Sequence, residues 1–290
     1  QDAIDNASDG DTVYVYSGNY AEHLVINIQN FILKGEGKET TFLGFEHSDS
    51  HIIDIFQNSV TISGFSIKAG SVQVSPVNLN LGVSNITITN NTLRDGLSGI
   101  NCEGENRDLV FNDNIFTGNR CSINTRNHQG TASYFIFRRN VFYGGLTGIG
   151  LTGNQCEASN NSFFDVWTGI HQDSSQAVIT DNSFLKSNYG MYIDNSNAMI
   201  TRNSFSANTY GIYVRGPGGI YIADCQFESG YAGISLLWNH NALIERCSII
   251  NESNGIYLQD STDIEINACN VTKNNQGVLL QYRSNAMITA

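Results

Sequence analysis

Acidic, basic and aromatic residues recur at a constant spacing in the second half of the chain. Three pairs follow one another at equal intervals: His171 and Asp173, Tyr192 and Asp194, and Tyr213 and Arg215. Carboxylates, imidazoles and guanidinium groups transfer protons or pair with anions, and aromatic rings cover the apolar faces of sugars. Placed side by side, such groups would suit a sugar polymer. We therefore predict candidate catalytic residues at Asp173, Asp194, His171 and Arg215, and candidate binding residues at Tyr192 and Tyr213.

The same spacing extends the predicted face and adds Tyr257, Glu103 and Arg126 as candidate binding residues. Two carboxylates on neighbouring strands would stand at roughly the separation that retaining glycosidases use. They could equally bind a hard cation such as Ca²⁺, although no metal or other cofactor is predicted. The alternative interpretation is an ordinary outward strand face, which is polar and aromatic in many proteins.

Two sequence marks repeat at a nearly fixed period and would position these residues. A glycine followed by an aliphatic residue recurs at Gly148-Ile149, Gly169-Ile170, Gly190-Met191, Gly211-Ile212, Gly233-Ile234, Gly255-Ile256 and Gly277-Val278. The second mark begins as Asn161-Ser162-Phe163 and recurs with the same period. Self-similarity at a period of this size indicates a stacked-repeat protein.

The repeating units are strands rather than helices. Aliphatic residues alternate in segments such as 198–201 and 242–245, and β-branched residues are frequent. Two or three short strands with tight turns would form one rung, of about 21–22 residues, of a parallel β-helix, which is an all-β fold. Ala3, Ile4 and Ala7 predict a short N-terminal capping helix that ends at residues 9–11. Segments 76–81 and 125–133 are predicted to be looped-out insertions that form one wall of a groove.

Three columns of aligned residues have structural interpretations. The first is inward and contains Asn91, Asn114, Asn140, Asn161, Asn182, Asn203, Cys225, Cys247 and Cys269; the second, also inward, contains Phe163, Phe184, Phe205 and Phe227. The third is outward, alternates largely in charge and is expected to form ion pairs between rungs: Asp113, Arg139, Asn160, Asp181, Arg202, Asp224 and Arg246. The three cysteines raise a metal hypothesis, but a straight column offers no convergent ligands and no histidine accompanies it. We predict reduced, metal-free structural thiols.

The composition narrows the classes of function. Fifteen basic and 27 acidic residues give a net charge of −12, which argues against a nucleic-acid partner. No apolar run reaches the roughly 18 residues of a membrane-spanning helix. The unbroken repeat predicts one domain over residues 1–290. Because the chain begins at Gln1 and stops within a rung, it is expected to be a fragment that continues beyond residue 290.

The opening of the chain resembles a known family. The matching residues are Ala3-Ile4, Ala7, Gly10-Asp11-Thr12-Val13, Gly18, Tyr20, Glu22 and Leu33-Lys34-Gly35-Glu36-Gly37. They look like the start of the NosD-like right-handed β-helix proteins of the pectin-lyase-like superfamily. This resemblance implies a right-handed helix and a place on an archaeal or bacterial cell surface. That superfamily includes lyases, hydrolases, epimerases and adhesins, and this chain has neither the arginine-rich signatures of pectate lyases nor the paired-Asp motifs of polygalacturonases.

We therefore expect an extracellular or cell-surface β-helix that binds, and in one form of the hypothesis processes, a polysaccharide on the face around residues 171–215. If the protein is an enzyme, the resemblance implies a polysaccharide lyase, a glycoside hydrolase or an epimerase. Neighbouring domains or envelope proteins are further expected partners. The rival hypothesis is a non-catalytic architectural role, as a spacer or as a surface-layer or adhesin module of the cell envelope.

Overall fold

The computed structural model describes residues 1–45, 49–126 and 133–289; the side chains of Glu103 and Arg126 are also outside the description. The chain divides into two compact units, Gln1–Cys156 and Glu157–Ala290. Strand β19 (Gln155–Ser159) begins in the first unit and ends in the second.

The first unit contains one short helix and eighteen strands within the described residues. Its elements are α1 (Asp2–Asp5), β1 (Thr12–Val15), β2 (Gly18–Tyr20), β3 (Leu24–Ile26), β4 (Phe31–Gly35), β5 (Thr41–Leu43), β6 (Ile53–Ile55), β7 (Val60–Ser63), β8 (Ser66–Lys68), β9 (Val77–Leu79), β10 (Ser84–Thr89), β11 (Thr92–Arg94), β12 (Ser98–Glu103), β13 (Arg107–Asn112), β14 (Ile115–Thr117), β15 (Cys121–Arg126), β16 (Tyr134–Arg138), β17 (Val141–Tyr143) and β18 (Thr147–Thr152). Every third strand pairs in parallel, in the orders β1-β4-β7-β10-β13-β16, β2-β5-β8-β11-β14-β17 and β3-β6-β9-β12-β15-β18.

The second unit has the same plan. Its strands are β20 (Ser162–Phe164), β21 (Thr168–Asp173), β22 (Gln176–Thr180), β23 (Ser183–Leu185), β24 (Tyr189–Asp194), β25 (Asn197–Thr201), β26 (Ser204–Ser206), β27 (Tyr210–Arg215), β28 (Ile220–Ala223), β29 (Gln226–Glu228), β30 (Ala232–Leu237), β31 (Ala242–Glu245), β32 (Ser248–Ile250), β33 (Asn254–Gln259), β34 (Ile264–Asn267), β35 (Asn270–Thr272), β36 (Gln276–Gln281) and β37 (Ala286–Thr289). They form three parallel sheets, β22-β25-β28-β31-β34-β37, β20-β23-β26-β29-β32-β35 and β21-β24-β27-β30-β33-β36. Three strands per rung, each paired with the equivalent strand of the next rung, define a parallel β-helix and confirm the predicted fold class.

Two details of the first unit differ from the prediction. Helix α1 has four residues and buries Ile4, but Ala3 on the predicted inward face is exposed and the helix ends before residue 9. The predicted insertion at residues 76–81 is wrong, because β9 lies within it and pairs in register with both β6 and β12. In the second predicted insertion, residues 125 and 126 end β15, and residues 127–132 lie outside the described residues. No helix in the described ranges is long and apolar enough to cross a membrane.

The phenylalanine column of the second unit is buried, as predicted. The rings of Phe163, Phe184, Phe205 and Phe227 stack nearly parallel, with successive centroids 4.7, 4.8 and 4.7 Å apart. The glycine mark exists because of these rings. A Cβ atom on Gly190 would lie 2.6 Å from a Phe205 ring carbon and 2.6 Å from the carbonyl oxygen of Gly211. The strand can therefore approach its neighbour only where this position has no side chain.

The inward asparagine column supplies hydrogen bonds that the strands cannot. Asn182 Nδ2 donates to the backbone carbonyls of Ala158, at 2.9 Å, and Thr180, at 3.0 Å. Its Oδ1 accepts from the backbone N–H and the side-chain amide of Asn161, both at 2.9 Å. Each asparagine thus satisfies turn groups of its own rung and of the rung before it, which fixes the register between rungs.

The cysteines continue this column in the same geometry. Cys225 Sγ donates to the carbonyl oxygens of Ala223, at 3.3 Å, and Ile200, at 3.7 Å. Cys247 and Cys269 donate to the corresponding pairs of carbonyls on the next two rungs. The thiol therefore replaces the asparagine amide as a donor to both carbonyls, in the inward column that we predicted.

The outward charged column occupies the residue before each inward asparagine or cysteine. In the second unit Asp181, Arg202, Asp224 and Arg246 all have φ between 50° and 57°, which is the left-handed conformation of a tight turn. Arg202 bonds Asp181 and Arg246 bonds Asp224, each with an Nε–Oδ1 distance of 2.8 Å. In the first unit Arg139 bonds Asp113 at 2.7 Å. The predicted pairing of opposite charges between rungs is confirmed at these three places.

Candidate functional site

The candidate site lies on one sheet of the second unit. Parallel pairing of β21, β24 and β27 places His171, Tyr192 and Tyr213 side by side, and places Asp173 beside Asp194 and Asp194 beside Arg215. Ile170, Met191 and Ile212 point inward and are fully buried, so the alternating residues point outward. The three equally spaced pairs are therefore neighbours on one surface.

The aromatic rings of this surface form a continuous cluster. Tyr192 stacks on Tyr213 with ring centroids 5.3 Å apart and an interplanar angle of 18°, and Tyr189 stacks on Tyr210 at 5.1 Å and 11°. The two stacks meet edge to face, with Tyr189 5.4 Å from Tyr213 and Tyr210 5.3 Å from Tyr213. We call the tyrosine face the set His171, Tyr189, Tyr192, Tyr210, Tyr213 and Tyr231.

Tyr189, Tyr210 and Tyr231 were missed by the sequence reasoning. Tyr189 and Tyr210 directly precede a glycine of the repeated mark, so the signal was present in the spacing. The predicted face comprised only positions that follow each glycine. Tyr231 lies two residues before its glycine, at the position of Trp167 rather than at that of Tyr189 and Tyr210, because Ala232 pairs in register with Tyr210.

The stacking determines which surfaces of the rings a ligand can reach. The parallel rings cover part of one another's faces, so a sugar cannot enter between Tyr192 and Tyr213. Tyr231 contacts Tyr210 edge to face, and 50% of its surface is exposed. Trp167 lies in the same column of the β-helix as Tyr231 and is 58% exposed. Trp238, after β30, is 44% exposed and lies 5.6 Å from the guanidinium carbon of Arg215. Trp167 and Tyr231 therefore offer the most accessible aromatic surface beside the stacks.

Charged groups border the rings on one side. The Asp173 carboxylate accepts a hydrogen bond from the Ser174 hydroxyl at 2.9 Å, and the Asp194 carboxylate accepts one from the Asn195 amide at 3.0 Å. Equivalent residues on adjacent parallel strands lie about 4.8 Å apart, which brings the two carboxylates close together. A hydrogen bond with the Tyr192 hydroxyl and the nearby carboxylate of Asp194 raise the pKa of Arg215.

His171 is neutral at pH 7 in this environment. Burial lowers its pKa, and the carboxylates of Asp173 and Asp194 only partly oppose that effect. Its ring meets Tyr192 edge to face at 5.3 Å. Burial also raises the pKa of the Tyr213 hydroxyl, which therefore remains protonated. The face thus offers a neutral imidazole, protonated phenols and two carboxylates, which together can donate and accept hydrogen bonds with hydroxyl groups.

Among the remaining predicted residues, Tyr257 lies outside this cluster. Ser235 separates Tyr257 from Tyr213 in the sheet, and the Tyr257 hydroxyl bonds Gln259 and Gln281, each at 2.8 Å. Ser235 and Leu237 lie in register with Tyr213 and Arg215 of this surface, but both are buried. Ser235 lies in register between Tyr213 and Tyr257, and Leu237 lies in register between Arg215 and Gln259. Glu103 and Arg126 lie in the first unit, where their backbones pair in register and nothing is described of their side chains.

The chain is a right-handed parallel β-helix protein and belongs to the NosD family. The model of that family, described as periplasmic copper-binding protein (NosD), matches residues 4–208, and a right-handed β-helix region matches residues 168–290. The family resemblance stated from the opening residues is thus confirmed.

Known proteins with similar sequence or structure include a cell surface glycoprotein and polysaccharide-acting enzymes. A cell surface glycoprotein of Methanothermus fervidus is 35% identical over 97 residues, which are 33% of this chain and 15% of that protein. The fold is similar to the catalytic unit of an α-1,3-glucanase from Streptomyces thermodiastaticus, with a TM-score of 0.68 and 13% identity over 99% of this chain and 64% of the other. The fold is also similar to a Yersinia enterocolitica exopolygalacturonase, with a TM-score of 0.60 and 13% identity. The similarity covers 100% of this chain and 73% of the other. At such identities the structural likeness concerns the fold alone.

The copper in the family description does not fit the residues described here. Within these ranges no group of three or more histidine, cysteine, aspartate and glutamate side chains is arranged to hold a metal ion. The thiols of Cys225, Cys247 and Cys269 lie in one line and donate to backbone carbonyls, whereas soft metals are held by ligands that converge on one point. We therefore derive no role for copper from this part of the chain.

These three thiols are expected to be protected in the folded protein and reduced. The hydrogen bond with Cys225 raises the pKa of Cys247 to about 12, and the hydrogen bond with Cys247 raises the pKa of Cys269. The Cys225 pKa is lowered by its hydrogen bond with Cys247, but this thiol is 1% exposed. Alkylation followed by mass spectrometry should label none of the three in the native protein and all three in denaturant without reductant. A missing pair of labels in denaturant, or stoichiometric copper in the purified protein, would contradict the structural role.

Proposed function

We propose that this protein binds a polysaccharide at the cell surface through the tyrosine face. The observation that carries the proposal is the continuous cluster of five tyrosines and His171 on one solvent-facing sheet. Tyrosine rings combine an apolar body with a polar hydroxyl, which suits the alternating apolar and polar surfaces of a sugar. The polysaccharide-acting proteins among the structural neighbours, and the surface location of the sequence relative, support the same class of ligand and an extracellular or envelope location.

The arrangement favours a ligand that runs along the β-helix axis. Trp167 and Tyr231 share one column: Tyr189 N–H bonds the carbonyl of Trp167, and three rungs on, Asn254 N–H bonds the carbonyl of Tyr231. Three rung spacings of about 4.8 Å separate them by about 14 Å. A linear polymer of several sugar units would contact Trp167 and Tyr231 with its apolar faces and the phenol hydroxyls between them with its own hydroxyls.

The first test removes one exposed ring. Tyr231→Ala should weaken polysaccharide binding about tenfold, which corresponds to about 1.4 kcal/mol, because the aromatic surface is lost while the inward core is unchanged. Titration calorimetry with soluble α-1,3-glucan oligosaccharides, polygalacturonate and alginate would measure the effect and separate neutral from acidic ligands. Tyr282→Ala is the matched control, since Tyr282 is 78% exposed and lies outside the tyrosine face.

Tyr213→Ala is a less specific probe of binding than Tyr231→Ala. Tyr213 contacts Tyr189, Tyr192 and Tyr210, so its removal would also disturb the stacks. Tyr213→Phe retains the ring and removes only the hydroxyl. A loss of affinity with an unchanged melting temperature would assign a binding role to that hydroxyl.

Asp194→Asn distinguishes processing from binding alone. If Asp173 and Asp194 transfer protons, the variant should retain affinity and lose at least about a hundredfold in turnover, as expected when a catalytic acid or base is removed. If the face only binds, affinity should change modestly and product analysis should find no cleavage or epimerisation by either protein. Failure of every polysaccharide in the panel to bind, together with equal behaviour of the Tyr231 and Tyr282 variants, would favour the architectural role.

A further inference from the structure

A second column of asparagine amides, buried at Asn208 and half-buried at Asn274, runs along another turn of the second unit. Asn208 accepts a hydrogen bond from the N–H of Ser187 at 2.8 Å, and Asn274 accepts one from the N–H of Glu252 at 2.8 Å. Each asparagine also donates Nδ2 to a carbonyl of the preceding rung, Phe184 for Asn208 and Ile249 for Asn274, both at 2.9 Å. Both amides are thus acceptors on one atom and donors on the other.

Glu252 occupies the corresponding position on the rung before Asn274. Its carboxyl group accepts the N–H of Gly230, as Asn208 accepts that of Ser187. The residue is 5% exposed, and Oε2 is buried without a hydrogen-bond partner. Residue 230 must be glycine for this fit, because a Cβ atom there would lie 2.7 Å from Oε2 and 2.2 Å from the carbonyl oxygen of Asn208.

By comparison with the two asparagines, the second carboxyl oxygen of Glu252 corresponds to the donating amide nitrogen. Asn274 donates to Ile249, and Ile249 pairs in register with Phe227, so the corresponding acceptor for Glu252 is the Phe227 carbonyl. A carboxylate oxygen has no proton to donate to a carbonyl, whereas a carboxylic acid has one. We propose that Glu252 is a neutral carboxylic acid in the folded protein, that it completes this column by donating to the Phe227 carbonyl, and that its ionisation loosens the turn.

The surroundings disfavour the charged form. Burial raises the pKa of Glu252 from its ordinary 4.5 to about 7, the N–H of Gly230 opposes this rise, and the carboxylate of Glu228 adds to it. The titratable side chains on the surrounding elements are Glu228 at the end of β29, Tyr231 before β30, Tyr257 in β33 and Lys273 after β35. Among them Glu228 is the group whose charge acts on Glu252.

The direction of the pH effect follows from the raised pKa. Between pH 4.5 and about pH 7 the unfolded chain has lost the Glu252 proton while the folded protein still holds it. The folded state then binds more protons than the unfolded state, so stability decreases as the pH rises through this window. The stabilisation that the protonated Glu252 contributes is complete below pH 4.5, and it is lost above the pKa of about 7 that this residue has in the folded protein.

The affected turn carries Tyr231. Gly230 directly precedes this tyrosine. Two backbone hydrogen bonds join this turn to the rung of Glu252: Ser253 N–H donates to the Gly230 carbonyl, and Asn254 N–H donates to the Tyr231 carbonyl. Ionisation of Glu252 therefore also weakens the support of the tyrosine face. This consequence for binding rests on the proposed function, whereas the protonation of Glu252 does not.

Glu252→Gln tests the proposal through stability. The glutamine amide can accept from Gly230 and donate to Phe227 at every pH. The variant should match the unmodified protein at pH 4.5, exceed its melting temperature by several degrees at pH 8, and lose that part of the pH dependence. Glu265→Gln is the matched control, because Glu265 in β34 is exposed, and it should leave the pH profile unchanged.

A direct titration keeps the proposal testable if the variant folds poorly. In protein labelled with ¹³C at glutamate carboxyl carbons, one resonance should titrate near pH 7, and it should be absent in Glu252→Gln. A Glu252 resonance that titrates near 4.5, or equal pH profiles for Glu252→Gln and the unmodified protein, would overturn the proposal. If these results support it while no glycan binds, only the proposed function fails.

Discussion

Replacing Phe205 with alanine should destabilise the protein by about 3–5 kcal/mol. The ring is 2% exposed and lies between Phe184 and Phe227, with centroid distances of 4.8 and 4.7 Å. The rungs on either side are held by their own backbone hydrogen bonds, so they cannot collapse into the space that the ring leaves. The cavity therefore persists and adds to the lost transfer free energy of the side chain. Urea unfolding followed by circular dichroism would measure the change.

Met199→Ala is the control for this substitution. Met199 lies in β25, close to Phe205 in the chain, but points outward and is 44% exposed. Its truncation should cost well under half as much, because no enclosed cavity forms. Equal losses for the two variants would show that the stacked rings contribute nothing beyond ordinary surface packing.

Replacing Asn182 with leucine should cost about 2–6 kcal/mol, because it leaves the carbonyl of Ala158 and the N–H of Asn161 buried and without their partner. Each unsatisfied group costs about 1–3 kcal/mol. Leucine has the same branching and the same number of side-chain heavy atoms as asparagine, so the substitution opens no cavity. Thermal and urea unfolding of the purified variants would measure the loss of stability.

Asn182→Cys is the matched comparison because the chain itself uses cysteine two rungs later in the same column. A thiol at this position can donate to the same two carbonyls, as Cys225 does at 3.3 and 3.7 Å. The cysteine variant should therefore be more stable than the leucine variant. A leucine variant as stable as the cysteine variant would show that the column is held by packing alone.

The spacing of the repeat predicted most of the fold and the alignment of the candidate site. Because His171, Tyr192 and Tyr213 are equally spaced, the repeat period alone predicted that they are neighbours in the sheet. The period likewise predicted the columns that contain Asn182 and Phe205. The prediction failed where the period changes. Residues 77–79 form a regular strand although the sequence around them is irregular, because backbone pairing with β6 and β12 does not depend on the side-chain marks.

The repeat period could not predict how the aromatic rings are oriented or which outward residues are buried. Whether Tyr192 presents its face or its edge to solvent depends on the rotamers of Tyr189 and Tyr213, which a single sequence does not specify. Ser235 is buried because it is a small residue between two tyrosines, and this follows only from the sizes of its neighbours in the sheet. The alternation of residues along a strand predicts whether a side chain points inward or outward, whereas its solvent exposure depends on the side chains of the neighbouring rungs.

Because the rungs of the second unit stack regularly, one whole rung could be gained or lost without disturbing its neighbours. A segment such as residues 190–210 carries one asparagine of the inward column, one stacked phenylalanine and two tyrosines, and its upper and lower edges make equivalent contacts. Duplicating or deleting such a segment by recombination would restore the inward asparagine and phenylalanine columns and the tyrosine face on both sides. The tyrosine face would lengthen or shorten by about 4.8 Å with its chemistry unchanged. The length of this surface can therefore evolve independently of its composition.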